Sequence, residues 1–193
     1  MPLRTGRHDR LWIAAGAILV GVIALGAFTV VFGGDDVKTL DETAGVKCQT
    51  GEQLKFHGHV RLAIYIEGEE IEVPDNTGIR FKPQETPDTP GQATPKPDVE
   101  CLFWLHTHTD NLVHIEAPSN PGYRLGQFFQ IWGEPLSETE LMDRTASGDL
   151  TIQATVNGVP YSGDPADIPL EDGSVISVQY GPPFVDPPTD LIG

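Results

Sequence analysis

The chain has 193 residues, with 28 acidic side chains against 12 basic ones and 39% hydrophobic residues. That length accommodates one domain with appendages, and its negative charge repels phosphate backbones, which excludes nucleic acid as a partner. No Gly-x-Ser-x-Gly, P-loop, dinucleotide fingerprint, His-Glu-x-x-His or Cys-x-x-Cys-His occurs, so serine-nucleophile, nucleotide and c-type haem chemistry have no sequence support.

Residues 1–10 carry Arg4, Arg7 and Arg10, and residues 11–32 form an uncharged apolar run of 22 residues. As a helix that run spans roughly 33 Å, enough for a hydrocarbon core about 30 Å thick. Only a helix satisfies its backbone there, so the reading is a transmembrane helix. Arginines before it and Asp35-Asp36 after it place residues 1–10 in the cytoplasm and everything beyond the helix outside it. A cleaved signal peptide is the alternative, but the run is longer than the usual h-region of about 7–15 residues and no small-x-small site follows. The protein is therefore expected in the cell membrane as a single-pass, extracytoplasmic protein, with the membrane, and a membrane protein beside it, as partners.

Residues 33–45 read as an acidic stalk, residues 46–181 as the extracytoplasmic domain, residues 84–100 as a proline-rich loop within it, and residues 182–193 as a proline-rich tail. Setting aside Asp9, Arg4, Arg7 and Arg10, the exported part has 27 acids and nine bases, a formal −18. Cys48 and Cys101 are the two cysteines. In an oxidising compartment they are expected to pair, closing a loop worth on the order of 4 kcal/mol in the chain-entropy model.

Within the domain, Val60, Leu62, Ile64 and Ile66 alternate with Arg61, Ala63 and Tyr65, which is strand spacing. Gly68 turns the chain back through Ile71 and Val73, leaving Glu67, Glu69, Glu70 and Glu72 on a solvated edge. Cys101 to Thr107 is a second strand, returned by Leu112 to Glu116 across Thr109-Asp110-Asn111. Leu125, Phe128, Phe129 and Trp132 lie at i, i+3, i+4 and i+7 of a helix that Gly133 ends. Ser137 and Glu140 have capping-box spacing for a second short helix. Leu150 to Val156 alternates again before a turn at Asn157-Gly158, and Val175 to Tyr180 is the closing strand. The expected class is α+β, a mostly antiparallel sheet of hairpins with one or two short helices. The closing pattern, VNG followed by PLEDGSVISVQYG, looks like the last strands of β-grasp domains; a β-sandwich is the alternative.

Five of the six histidines fall in two clusters: His57 and His59, then His106, His108 and His114. On a strand, residues i and i+2 share a face. A turn centred on Asp110 would pair His106 with His114 on that face, and a one-residue slip would separate them. Three imidazoles around an open position suit zinc or copper. If the first hairpin packs beside the second, His57 and His59 join them. Glu116, two positions on from His114, is a second-shell partner or general base, or a solvated carboxylate. Trp104 shares the parity of the histidines and would wall the site or pack as an ordinary aromatic. His-x-His with a third histidine on the antiparallel neighbour looks like the zinc site of α-type carbonic anhydrases, and the His-x-His resembles that of cupins. Neither likeness extends further, since the cupin glutamate is missing. A blue-copper site is excluded because its cysteine ligand would have to be Cys101, on the opposite parity.

The stretches HGHVRLAIYIEGEEIEVP, CLFWLHTHTDNLVHIEAP and YRLGQFFQIWGEPLS resemble a family of uncharacterised prokaryotic extracytoplasmic proteins, usually carried behind an N-terminal anchor. The resemblance covers most of residues 56–180 and implies a location but no reaction. Three functions stay open at this point: a membrane-tethered copper- or zinc-binding protein in metal handling, a metalloenzyme with an open three-histidine site, and a metal-free cell-surface interaction module.

Overall fold

The computed structural model describes residues 37–84, 96–110 and 112–191. The expected tail 1–10, the expected transmembrane helix 11–32 and the central part of the proline-rich loop lie outside the described residues. Among the described residues no helix is long and apolar enough to cross a membrane.

In chain order the strands are β1 (Thr39–Thr43), β2 (Val46–Gln49), β3 (Phe56–Ile66), β4 (Glu69–Ile71), β5 (Ile79–Phe81), β6 (Val99–Phe103), β7 (Leu105–Thr107) and β8 (Leu112–Ala117). A helix α1 (Leu125–Trp132) follows, and then β9 (Glu140–Leu141), β10 (Arg144–Thr145), β11 (Thr151–Val156), β12 (Val159–Tyr161) and β13 (Val175–Gly181). The larger sheet runs β12-β11-β13-β3-β8-β7, with β4 pairing the far end of β3; the smaller one runs β1-β2-β6-β5. β3 is the axis of the larger sheet. Its first half pairs antiparallel with β8, and its second half pairs parallel with β13.

This overturns the expected α+β class. The fold is mostly β, with one α-helix of eight residues among the described ones and sheets that are mixed as well as antiparallel. The expectation of a β-grasp-like sheet made of antiparallel hairpins gives way to that description, and the parallel pair equally excludes a sandwich of purely antiparallel sheets. All seven residues of β13 are buried, the pattern of a central strand covered on both faces rather than a half-wet hairpin arm.

Three local readings also change. Ser137 Oγ accepts the N–H groups of Thr139 and Glu140, as a capping serine does. No helix follows, because Leu141 is the only fully buried apolar residue there; β9 and β10 pair instead around Met142, whose φ is 55°. The single strand expected from Cys101 to Thr107 breaks at Trp104, so that β6 belongs to the smaller sheet and β7 to the larger. Thr39–Thr43, inside the expected stalk, is strand β1 and pairs antiparallel with β2.

The core lies on one face of the larger sheet. Val60, Leu62 and Ile64 of β3, Val113 and Ile115 of β8, Leu105 of β7 and Ile176 and Val178 of β13 are buried with Leu125, Phe128 and Phe129 of α1. The helix ends where expected, with Gly133 at φ 87° donating its N–H to Phe129 O. On the opposite face, the C-terminal tail crosses behind β13: Gln179 exchanges two hydrogen bonds of 2.9 Å with the Val185 backbone, and Arg61 Nη1 donates to Asp190 O. That cover explains how β13 is buried twice over.

Cys48 and Cys101 are joined and fully buried, tying β2 to the β5–β6 side of the smaller sheet. Replacing both with alanine is expected to cost about 2–5 kcal/mol, read as a lower urea midpoint of a non-reduced sample. An unchanged midpoint would show that sheet pairing alone holds this half of the fold.

Candidate metal centre

Three adjacent strands build the site on the face opposite the core. The strand period of two sends His57 and His59 of β3, His114 and Glu116 of β8, and His106 of β7 to that face, while Val60, Val113, Ile115 and Leu105 go to the other. Register does the rest. His59 stands opposite His114, His114 stands opposite His106, and His57 stands opposite Glu116. The described structure thus brings all five clustered histidines together with Glu116. His108, just past β7, completes the group.

His114 is the hub. Its ring centroid lies 4.6 Å from that of His59, 4.7 Å from His108, and 5.7 Å from both His57 and His106. Two sets of three donors have ligand atoms within 4.8 Å of one another: His57, His59 and His114, and His106, His108 and Glu116. Each set is able to hold a metal ion.

The hydrogen bonds around the rings select the tautomers such a role requires. His106 Nδ1 lies 2.7 Å from Phe103 O, a carbonyl that can only accept, so Nδ1 carries the proton and Nε2 keeps its lone pair. That Nε2 is 3.2 Å from His108 Nε2. Two nitrogens each bonded at 2.0–2.1 Å to one tetrahedral ion lie about 3.3 Å apart. His114 Nε2 lies 2.8 Å from Asp110 Oδ2, which leaves Nδ1 to point inward. A carboxylate behind a ligating imidazole is the usual device for orienting it and raising its basicity.

Two buried atoms here lack any hydrogen-bond partner among the described residues: His114 Nδ1 and Glu116 Oε2. An unsatisfied buried polar group costs about 1–3 kcal/mol, and both atoms are acceptors that a cation satisfies. Around them Glu116 Oε1 lies 3.3 Å from His57 Nε2 and 3.7 Å from His114 Nδ1, and Oε2 lies 3.8 Å from His106 Nε2.

Electrostatics follow from burial. Desolvation pushes the His106 imidazole down to about 4, with the Phe103 carbonyl opposing and the neighbouring histidines reinforcing the shift. His59 is lowered by burial, His114 and His57. Burial and then Glu52 raise Glu116 against the pull of the histidines. Burial alone would raise Asp110, but its hydrogen bonds to His114 and Leu112 N–H hold it below the usual carboxylate range. Neutral imidazoles are the ligand form. The floor of the site is closed, with His106 at 1% and His114 at 7% exposure, whereas the His57 side chain is 41% exposed.

The backbone of the site is clamped from outside the three strands. Thr77 O accepts from Thr107 N–H on the edge of β7 away from β8, and Gly78 O accepts from Phe103 N–H at the end of β6. Gly78 sits at φ +83°, and a Cβ there would come within 2.5 Å of Leu105 O. On the other side, Asp172 Oδ1 accepts from His59 N–H and Gly173 N–H donates to His59 O.

One placement differs from the sequence reading, and for Trp104 the structure selects the second of the two roles expected, ordinary aromatic packing. Glu116 stands inside the cluster as a potential ligand, not behind it. Trp104 makes its contacts with β2, its indole N–H donating to Gln49 Oε1 and the Lys47 ammonium lying 5.6 Å from its ring centre. Sequence reasoning missed Asp110 as the partner of His114, although its position four residues earlier across a tight turn carried that signal. The Phe103 carbonyl and Asp172 left no such trace. The chain matches no family model, no curated protein and no solved structure.

The depressed His106 pKa gives the metal-free protein an acid sensitivity. The unfolded chain takes up a proton near 6.5 that the folded one refuses until about 4. Stability from this group is therefore complete above pH 6.5 and falls as pH drops toward 4, by on the order of 1 kcal/mol per pH unit. Urea midpoints of chelator-treated protein between pH 7.5 and 4.5 are expected to show this fall, and His106→Gln to flatten it; equal slopes in the two proteins would exclude His106 as its source.

Proposed function

We propose that this protein is a membrane-tethered, extracytoplasmic metal-binding protein that holds copper or zinc through His57, His59, His106, His108 and His114, and that it serves metal handling at the membrane. One observation carries the reading: inward-facing lone pairs of His114 and Glu116 are buried without a hydrogen-bond partner among the described residues, within a ring of imidazoles. The donor set is imidazole-rich, which suits copper and zinc better than calcium or magnesium. The apolar run at residues 11–32, with arginines before it and acids after it, supports the tether and its direction. The buried disulfide, with no free cysteine among the described residues, supports an oxidising compartment. The resemblance of the His-x-His and WLHTH stretches to anchored extracytoplasmic proteins points the same way.

Elemental analysis of the full-length protein purified in detergent tests this. At least one equivalent of copper or zinc per chain is expected, with one equivalent lost in a His106→Ala/His108→Ala variant. Protein that arrives without metal and binds neither ion more tightly than micromolar would leave the metal-free interaction module as the better reading.

A second reading, metal-assisted turnover, is favoured by one feature. A cleft of about 400 Å³, walled by Ile79, Phe81, Val99 and Leu102, includes His108 in its lining. A ligand with an apolar body would reach the histidines there, where a metal-bound water has its pKa lowered to about 7. Zinc-loaded protein would then hydrolyse 4-nitrophenyl acetate at a rate that saturates with ester and drops about tenfold with Phe81→Asp. Hydrolysis no faster than with the same concentration of free zinc would leave binding alone.

A further inference from the structure

We propose that the cluster holds two metal ions side by side, with the Glu116 carboxylate bridging them. The inference rests on the reading of this cluster as a metal centre and goes beyond it in number and arrangement.

Six donors converge, whereas a tetrahedral ion takes four. The six divide into two sets of three: His57, His59 and His114 on one side, His106, His108 and Glu116 on the other. Three protein donors and an open position are the usual complement of one accessible site. The division follows the sheet, because β8 lies between β3, which carries His57 and His59, and β7, which carries His106 with His108 just past its end.

The position of Glu116 makes the two sets one centre. Oε1 is turned to the first set, 3.3 Å from His57 Nε2 and 3.7 Å from His114 Nδ1. Oε2 is turned to the second, 3.8 Å from His106 Nε2. A carboxylate presenting one oxygen to each of two ligand sets has the geometry of a bridge, which in two-metal sites spans ions roughly 3.5–4 Å apart. The stacking repeats the same symmetry: His57 and His106 flank the His114 ring at equal centroid distances of 5.7 Å, with interplanar angles of 29° and 13°. Glu116 is 5% exposed, and Oε2 has no other partner among the described residues. A buried carboxylate is retained at that depth when cations flank it. Two ions satisfy both of its oxygens, where one ion would satisfy one set and leave the other three donors idle.

The test is a titration of tag-free, full-length protein in detergent, stripped with chelator, with Cu²⁺ sulfate followed by native mass spectrometry and electron paramagnetic resonance. Two ions per chain are expected. The second should broaden or quench the signal of the first through coupling at this separation, and Glu116→Gln should restore the spectrum of isolated Cu²⁺. A His57→Ala/His59→Ala variant should saturate at one ion. Saturation of the unaltered protein at one ion would overturn the two-ion inference and leave the metal centre standing. Two ions with uncoupled spectra would overturn the bridge. No binding at all would overturn both this inference and the reading beneath it.

Discussion

The pairing of β3, β8 and β7 at His59, His114 and His106 is the constraint on which everything else rests. A strand places alternate residues on opposite faces, so this one register simultaneously sends Val60, Val113, Ile115 and Leu105 to the core and the donors to the other side. A slip of one residue in β8 would bury His114 and Glu116 among phenylalanines and expose Val113 and Ile115. The apolar residues therefore enforce the site: each inward-facing valine or isoleucine that holds the register also holds a histidine or glutamate opposite its neighbour.

That arrangement places a costly polar cluster against an otherwise conventional sheet. Five imidazoles and a carboxylate crowd one another, and burial works against the charged forms of His106, His59 and Glu116. The protein answers locally rather than by loosening the fold. The Phe103 carbonyl and the Asp110 carboxylate each fix one ring, and turns at residues 74–78 and 171–174 clamp the outer strands from either side. Such second contacts are what hold a donor within a few tenths of an ångström of a useful position.

Much of the site was legible in the sequence, and for a physical reason. His-x-His spacing, a tight turn at Asp110 and a return strand are local facts, and the period of a strand converts them into geometry. The helix was legible on the same ground, since Leu125, Phe128 and Phe129 mark one face and Gly133 its end. What could not be read were the consequences of distant pairing. That β13 lies parallel to β3 depends on residues more than a hundred positions apart, and nothing local in VISVQYG distinguishes a parallel from an antiparallel neighbour. The break at Trp104 is of the same kind, because its cause is the sharing of one continuous apolar segment between two sheets. Ser137 shows the converse: a correct local hydrogen bond, read as a helix start, that the following residues had no apolar face to continue.

The donors are graded from a sealed floor at His106, His114 and Glu116 to a rim at His57, and this gradient has a kinetic meaning. A cation in a uniformly buried cage leaves only when the cage opens, and its residence time is the lifetime of the fold. A cation in a bowl is different. Were an ion held here, a solvated rim ligand such as His57 would detach first, and an incoming ligand from another molecule would take the vacated position before the next was lost. The floor would then set which ion is kept. Selectivity and exchange would be separated along one axis of the same sheet, so that substitution at either end would change one without disturbing the other.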